Sequence, residues 1–175
     1  MSTYAAFTLL IVIVAIERII ELVISKRNLA WSFAQGGIEF GRSHYKYVVA
    51  IHVFLLGGSL VEVWLARPTL NPVLSGVMFA LAIASQALRW WCIATLGKRW
   101  NTLVVIIPGV PVCKNGPYKW LRHPNYLAVV IEGFALPMVG FAWITALIFT
   151  ILNAGVLTVR LRSENAALAT LPIAQ

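Results

Sequence analysis

The sequence predicts an all-α integral membrane protein with about five transmembrane helices, and three observations carry that expectation. Of its 175 residues 60% are hydrophobic and only 11% charged, against about a quarter charged in an ordinary soluble domain. The acids are six glutamates with no aspartate, too few to cover a water-facing surface, and the mean hydropathy is +0.83. Apolar runs recur at residues 4–24, 45–65, 74–96, 125–139 and 141–159. A helix rises about 1.5 Å per residue, so the longer runs reach across a hydrocarbon core about 30 Å thick. One membrane domain over residues 1–175 is expected.

The first run carries Glu17, Arg18 and Glu21. Glu17 and Glu21 are one turn apart and share a helix face, which should meet other helices or headgroups and not lipid tails. The run lacks a basic leader and an Ala-x-Ala site, so it is expected to remain as an anchor. Residues 25–44 read as a polar connection whose Trp31, Phe33, Ile38 and Phe40 lay it along the membrane interface. The second run is interrupted by Gly57-Gly58 and holds His52 and Glu62, which read as packing or gating groups. Arg67-Pro68 through Asn71-Pro72 makes a turn. The third run ends in Arg89-Trp90-Trp91. The loop 97–124 contains Leu103-Val104-Val105-Ile106-Ile107, a short extended segment, followed by Pro108, Gly109 and Pro111, which forbid regular helix. The last two runs make a helical hairpin about Gly140, one half falling short of the far interface. No internal repeat supports an inverted-repeat transporter.

The net charge of +8 follows membrane orientation and not nucleic acid. Lys26, Arg27, Arg42, Lys46, Lys98, Arg99, Lys114, Lys119, Arg122, Arg160 and Arg162 all fall on one face, and Arg67 alone on the other. The positive-inside rule then places both long connections and the C-terminus in the cytoplasm and the N-terminus outside, in a cell (inner) membrane protein. Cys92 and Cys113 are isolated, with no Cys/His cluster, and read as small buried hydrophobes without a metal.

Polar chemistry concentrates in two places. Gly116-Pro117-Tyr118 and Arg122-His123-Pro124-Asn125-Tyr126 lead into the fourth run, with Pro124 in the first turn of its helix. A helix start beside Arg122 and His123 suits a carboxylate or phosphate, and Tyr118, Trp120 and Tyr126 suit a flat heterocycle or a sulfonium cation. The same residues also fit an ordinary interfacial belt. Arg160 and Glu164 lie four apart at the end of the fifth run, level with the first group if the last two helices form a hairpin; a surface ion pair is the plain alternative. Asn153 reads as a helix-packing hydrogen bond or, less simply, a substrate contact. Trp100-Asn101 borders either the interface or an acceptor pocket. Phosphate-loop, Rossmann, HExxH and GxSxG patterns are absent.

Residues 116–126 followed by Arg160-x-x-x-Glu164 resemble the isoprenylcysteine carboxyl methyltransferase family. Ser25-Lys26-Arg27-Asn28, Glu39-Phe40-Gly41 and His44-Tyr45 are similar to a bacterial branch linked to methylation of alkylpyrones and related lipids. The resemblance implies a cytosolic-face site between the last helices that takes S-adenosylmethionine from the cytosol and a lipophilic acceptor from the bilayer. It assigns Val110, Val112, Cys113, Tyr118, His123, Pro124, Asn125, Tyr126 and Glu164 to the cofactor. Arg160 falls to the acceptor, with Arg160 and Glu164 as the catalytic pair; Asn153, Trp100 and Asn101 join it as candidate acceptor contacts on the reading of their positions given above. Ala128 stands where the family often has Gly, and Asn165 follows Glu164 where paired acids are usual. The chain stops at Gln175 without the longer eukaryotic tail, which points to a small lipid acceptor. Competing expectations are a phospholipid amine N-methyltransferase, an NADPH-dependent membrane reductase and a non-enzymatic scaffold.

Overall fold

The computed structural model describes residues 3–168. Five helices make up the body: α1 (Thr3–Ala34), α2 (Arg42–Ala66), α3 (Pro72–Leu96), α4 (Pro124–Val139) and α5 (Trp143–Leu168). Two short strands, β1 (Ile38–Phe40) and β2 (Val104–Ile106), pair antiparallel with Ile38 opposite Ile106 and Phe40 opposite Val104. The protein is an all-α integral membrane protein. Among the described residues the segments His44–Ala66, Pro72–Arg99 and Trp143–Ala167 are long and apolar enough to cross a membrane, and Pro124–Val139 is a shorter apolar helix. Leu9, Ile19, Val53, Leu65, Val77 and Ile151 stand exposed on the outside, a surface that suits lipid and not water.

Two sequence expectations are corrected. Residues 25–34 are not an interfacial connection, because α1 runs on to Ala34. Its buried positions are Phe7, Ile11, Val14, Glu21, Ser25, Asn28 and Ser32, spaced by three, four or seven as one helical stripe. The stripe changes from apolar to polar halfway, so a hydropathy pattern ends where the helix does not. Gly57-Gly58 does not interrupt α2, which is continuous through both; Gly58 instead lets α5 approach, a Cβ there meeting Thr145 at 3.2 Å. Arg89, near the end of the third run, is 4% exposed inside the bundle.

Other elements form where the residues demand. The Asn71 side chain accepts from the Val73 and Leu74 amides at 3.0 and 3.1 Å, capping α3 with Pro72 in its first turn. Glu62 on α2 caps α5 from across the bundle, accepting from the Ile144 and Thr145 amides at 2.9 and 2.8 Å, where the helix N-terminus attracts negative charge. Within the expected extended segment, Val104–Ile106 forms β2. Val104, Ile106 and Ala167 form a small core where the strand pair covers the end of α5. Ile51, Leu55, Val129 and Phe149 form another between α2, α4 and α5.

Inside the bundle Arg18 of α1 bonds Glu21 at 2.6 Å and lies 3.3 Å from Glu132 of α4. Arg89 of α3 bonds Glu132 and sits 3.7 Å from Glu21. The Gln86 carbonyl accepts from Arg18 at 2.6 Å. The α4–α5 hairpin turns at Gly140, with Phe141 at φ 61°, and closes so tightly that a Cβ on Gly133 would land on the Phe149 ring. Gly133→Val should therefore cost about 1–3 kcal/mol through overpacking and lower the thermal unfolding midpoint in micelles. Gly155→Val, with nothing within 4 Å of its Cβ, should stay within about 0.5 kcal/mol of wild type.

Candidate active site

The site is built where the 97–123 loop, the start of α4 and the end of α5 meet. The loop is held by α1. The Asn28 amide donates to the Gly97 and Trp100 carbonyls at 3.1 and 2.7 Å. Ser25 Oγ accepts from the Thr102 amide at 2.9 Å, and Tyr45 Oη and Thr102 Oγ1 lie 3.1 Å apart. Arg99 donates to the Pro111 carbonyl at 3.1 Å, tying down the stretch that carries Val110, Val112 and Cys113. Val110 and Cys113 are half-buried and Val112 is exposed.

Pro124 opens α4 as expected, buried, with His123 just before it at φ −133°. That start sets Asn125 and Tyr126 facing α5. Tyr126 Oη donates to Glu164 and accepts from Arg160 Nε at 3.2 Å. Arg160 lies over the Tyr126 ring, 5.5 Å from its centroid, and its Nη2 donates to the Thr102 carbonyl at 2.5 Å. The His123 ring stacks on the Tyr126 ring at 5.5 Å and 18°, with Nδ1 3.5 Å from Glu164. Arg160 and Glu164 thus do not simply pair with each other along the helix. Each is committed across the hairpin to the segment around Tyr126.

Tyr118 sits in a short 3₁₀ turn, Gly116–Lys119. Burial pushes its phenol far above the ordinary range, and Cys92, Glu164 and Cys113 push the same way, so it remains a neutral hydroxyl near Glu164. Gly116 at φ 54° lets this turn press on α3, because a Cβ would strike Thr95. Tyr118, His123, Tyr126 and Glu164 are brought together. Trp120 is not: it is 68% exposed and packs with Trp91 at 5.9 Å.

Beneath Tyr126 and Arg160 lies a cavity of about 170 Å³. Val48, Val129, Val156 and Leu157 line its apolar waist; Trp100, Asn125 and Asn153 line it as well. Asn101 is not among the lining residues, and its amide donates to Ser32 Oγ at 3.3 Å. Asn153, expected foremost to bond a neighbouring helix, makes no hydrogen bond to the protein among the described residues. His52 lines the cavity too, whereas Glu62 is the remote cap of α5. The sequence reading missed Glu132 altogether, and missed the Ser25, Tyr45 and Thr102 support of Arg160.

Residues 77–170 match the model of the isoprenylcysteine carboxyl methyltransferase (ICMT) family. The chain belongs to that family. It is therefore a membrane methyltransferase, as the resemblance implied. The matched ICMT stretch runs from α3 through α4 into α5 and so contains both halves of the Tyr126–Arg160–Glu164 junction. The chain is also 38% identical over 162 residues to an uncharacterized protein, YpbQ, of Bacillus subtilis (strain 168), covering 93% of this chain and 96% of that one. It is 28% identical over 155 residues to an uncharacterized protein of Haemophilus influenzae, covering 88% and 90%.

Tyr126→Phe removes one hydroxyl shared by two ionised groups. It should lower stability by about 1.5–3 kcal/mol, the worth of a hydrogen bond to charge, read as an earlier thermal midpoint with unchanged helical circular dichroism.

Proposed function

We propose that the protein transfers a methyl group from S-adenosylmethionine to an acidic oxygen, a carboxylate, enol or phenol, of a lipophilic acceptor such as an alkylpyrone or isoprenoid lipid. The observation that carries this reading is the junction itself. Arg160 stands at the mouth of an apolar cavity, and Glu164 stands beside it among Tyr118, His123 and Tyr126.

The residues fit the cofactor. His123 Nε2 and Asn125 Oδ1 are buried polar atoms without a hydrogen-bond partner among the described residues, and a buried polar atom left unpaired costs about 1–3 kcal/mol. A ligand with its own polar groups would satisfy both. Glu164 supplies a carboxylate for a cationic ligand, and the faces of Tyr118 and Tyr126 suit the same charge. Val110, Val112 and Cys113 supply the flanking backbone. Bound there, S-adenosylmethionine would supply an electrophilic methyl group on a sulfonium.

The chain's own contribution is orientation and charge. Arg160 is held at two points, Tyr126 Oη and the Thr102 carbonyl, and its Nη1 has no hydrogen-bond partner in the protein among the described residues. That free edge would hold the acceptor as its anion, which removes the need for a strong general base. A fixed guanidinium favours an acidic oxygen over an amine. The cavity walls exclude water from the reacting atoms. Leu22, Val49 and Val53 line the cavity and are also exposed on the outer surface, which supports entry of the acceptor from the lipid side. The basic connections around the site support a cytoplasmic orientation in the inner membrane.

Purified protein given labelled S-adenosylmethionine and lipid extract should yield a methylated lipid whose mass gain is one methylene. Arg160→Ala and Glu164→Ala should each lower transfer by about 100-fold or more, the usual loss when a charge-stabilising group is removed, while remaining folded. Full turnover in either variant would remove that residue from the mechanism.

A further inference from the structure

The cavity does not end in hydrocarbon. Asn153 lies seven residues before Arg160 on α5, two turns deeper on the same helix face, which places it about 10 Å further in. It is 4% exposed, lines the cavity and bonds nothing in the protein among the described residues. His52 faces the same cavity from α2. Its Nδ1 lies 2.7 Å from the Val48 carbonyl; a carbonyl only accepts, so Nδ1 carries the proton and a neutral ring leaves Nε2 as a bare acceptor. The Phe149 ring meets His52 edge-on at 5.6 Å and holds its plane. Arg89 and Glu21 also line this end, and among the described residues Arg89 Nε and Glu21 Oε1 are buried without a hydrogen bond.

An amide in this position that only packed helices would bond one of them. Here the donor and acceptor groups of Asn153 and His52 are left to whatever enters. The charges behind them balance, Arg18 and Arg89 against Glu21 and Glu132. An anion would find no free positive charge there, and a cation no free negative one. A neutral group that accepts or donates a hydrogen bond fits.

We propose that the inner end of the cavity is a second recognition site, in which the Asn153 amide donates to a ketone, or Asn153 and His52 Nε2 together hold a hydroxyl, about 10 Å, two helical turns, from the oxygen that is methylated. The proposal rests on the cavity being the acceptor site. A volume of about 170 Å³ holds a ring-sized group, since an apolar cavity of about 150 Å³ takes benzene. An unbroken alkyl chain would displace water from Asn153 and return no hydrogen bond to it.

The test uses the full chain in lipid nanodiscs and two labelled probes, 4-nonylphenol and the same phenol with a chain ketone about 10 Å from the phenol oxygen. Binding is read by equilibrium dialysis, and methyl transfer separately from S-adenosylmethionine. Wild type should bind the ketone about five- to tenfold more tightly, the worth of one hydrogen bond, and Asn153→Leu should bring that ratio to about one. Moving the ketone to the chain end should erase the preference in wild type, which decides the matter alone if Asn153→Leu does not fold. Equal binding of the two phenols by wild type, no binding of either, or a preference that survives Asn153→Leu would overturn the proposal. Ketone-selective binding without methyl transfer would leave this site standing and count against the methyltransfer reading instead.

Discussion

The four-charge cluster of Arg18, Glu21, Arg89 and Glu132 is the constraint on which the rest of the structure depends. An unpaired charge inside the membrane is expensive, so each of these groups has to find its opposite. The partners lie on three different helices: α1, α3 and α4. Pairing them sets the rotation and depth of those helices together. Buried pairs add little net stability over apolar residues, but breaking one is costly. The cluster is therefore better understood as specifying one arrangement than as strengthening it. Tyr126 lies six residues before Glu132, so the rotation that brings Glu132 to Arg89 also sets where the start of α4 meets α5.

A second line of control runs through α1. Its polar stripe leaves the apolar body and becomes a rigid arm. Asn28 holds the loop at Gly97 and Trp100, and Ser25 holds Thr102. The Thr102 carbonyl in turn receives Arg160. A loop rich in Pro and Gly would otherwise be free to move, and Arg160 would lose one of its two anchors. The precision of the guanidinium thus begins in the first helix, 135 positions away from Arg160 if counted from Ser25.

Much of this was legible in the sequence wherever the signal was local. The apolar runs, the turn through Asn71-Pro72, Pro124 in the first turn and the extended stretch around Val104–Ile106 depend on neighbours within a few residues. The convergence of Tyr118, His123, Tyr126 and Glu164 was legible too, because a hairpin between the last two runs brings their polar ends level. What escaped depends on distant partners. Glu132 is one acid in an apolar run, and its meaning comes from Arg89, 43 residues earlier. Glu62 caps a helix that starts some 80 residues later. Residues 25–34 were misjudged because polar residues signal a loop unless one knows what they face. Gly57-Gly58 reads as a break in isolation, yet packing against α5 keeps the helix whole.

The same contrast separates the two polar levels of the cavity. At the mouth, Arg160 keeps part of its guanidinium unshared, so the chemistry there favours an acid. At the floor, each charge already has an opposite charge, and what remains is hydrogen-bonding capacity without net charge. Between them Val48, Val129, Val156 and Leu157 offer neither. A ligand that crosses this profile must be charged or acidic at one end and apolar in the middle. Since desolvating polar groups without replacement costs free energy, its depth of insertion is decided by the floor. On the proposed function, a molecule that satisfies the floor would be held with its acidic oxygen at Arg160, and one that does not would be free to slide along the apolar waist. Under that proposal, depth, and with it the alignment that methyl transfer requires, would be a property of both levels and not of the mouth alone.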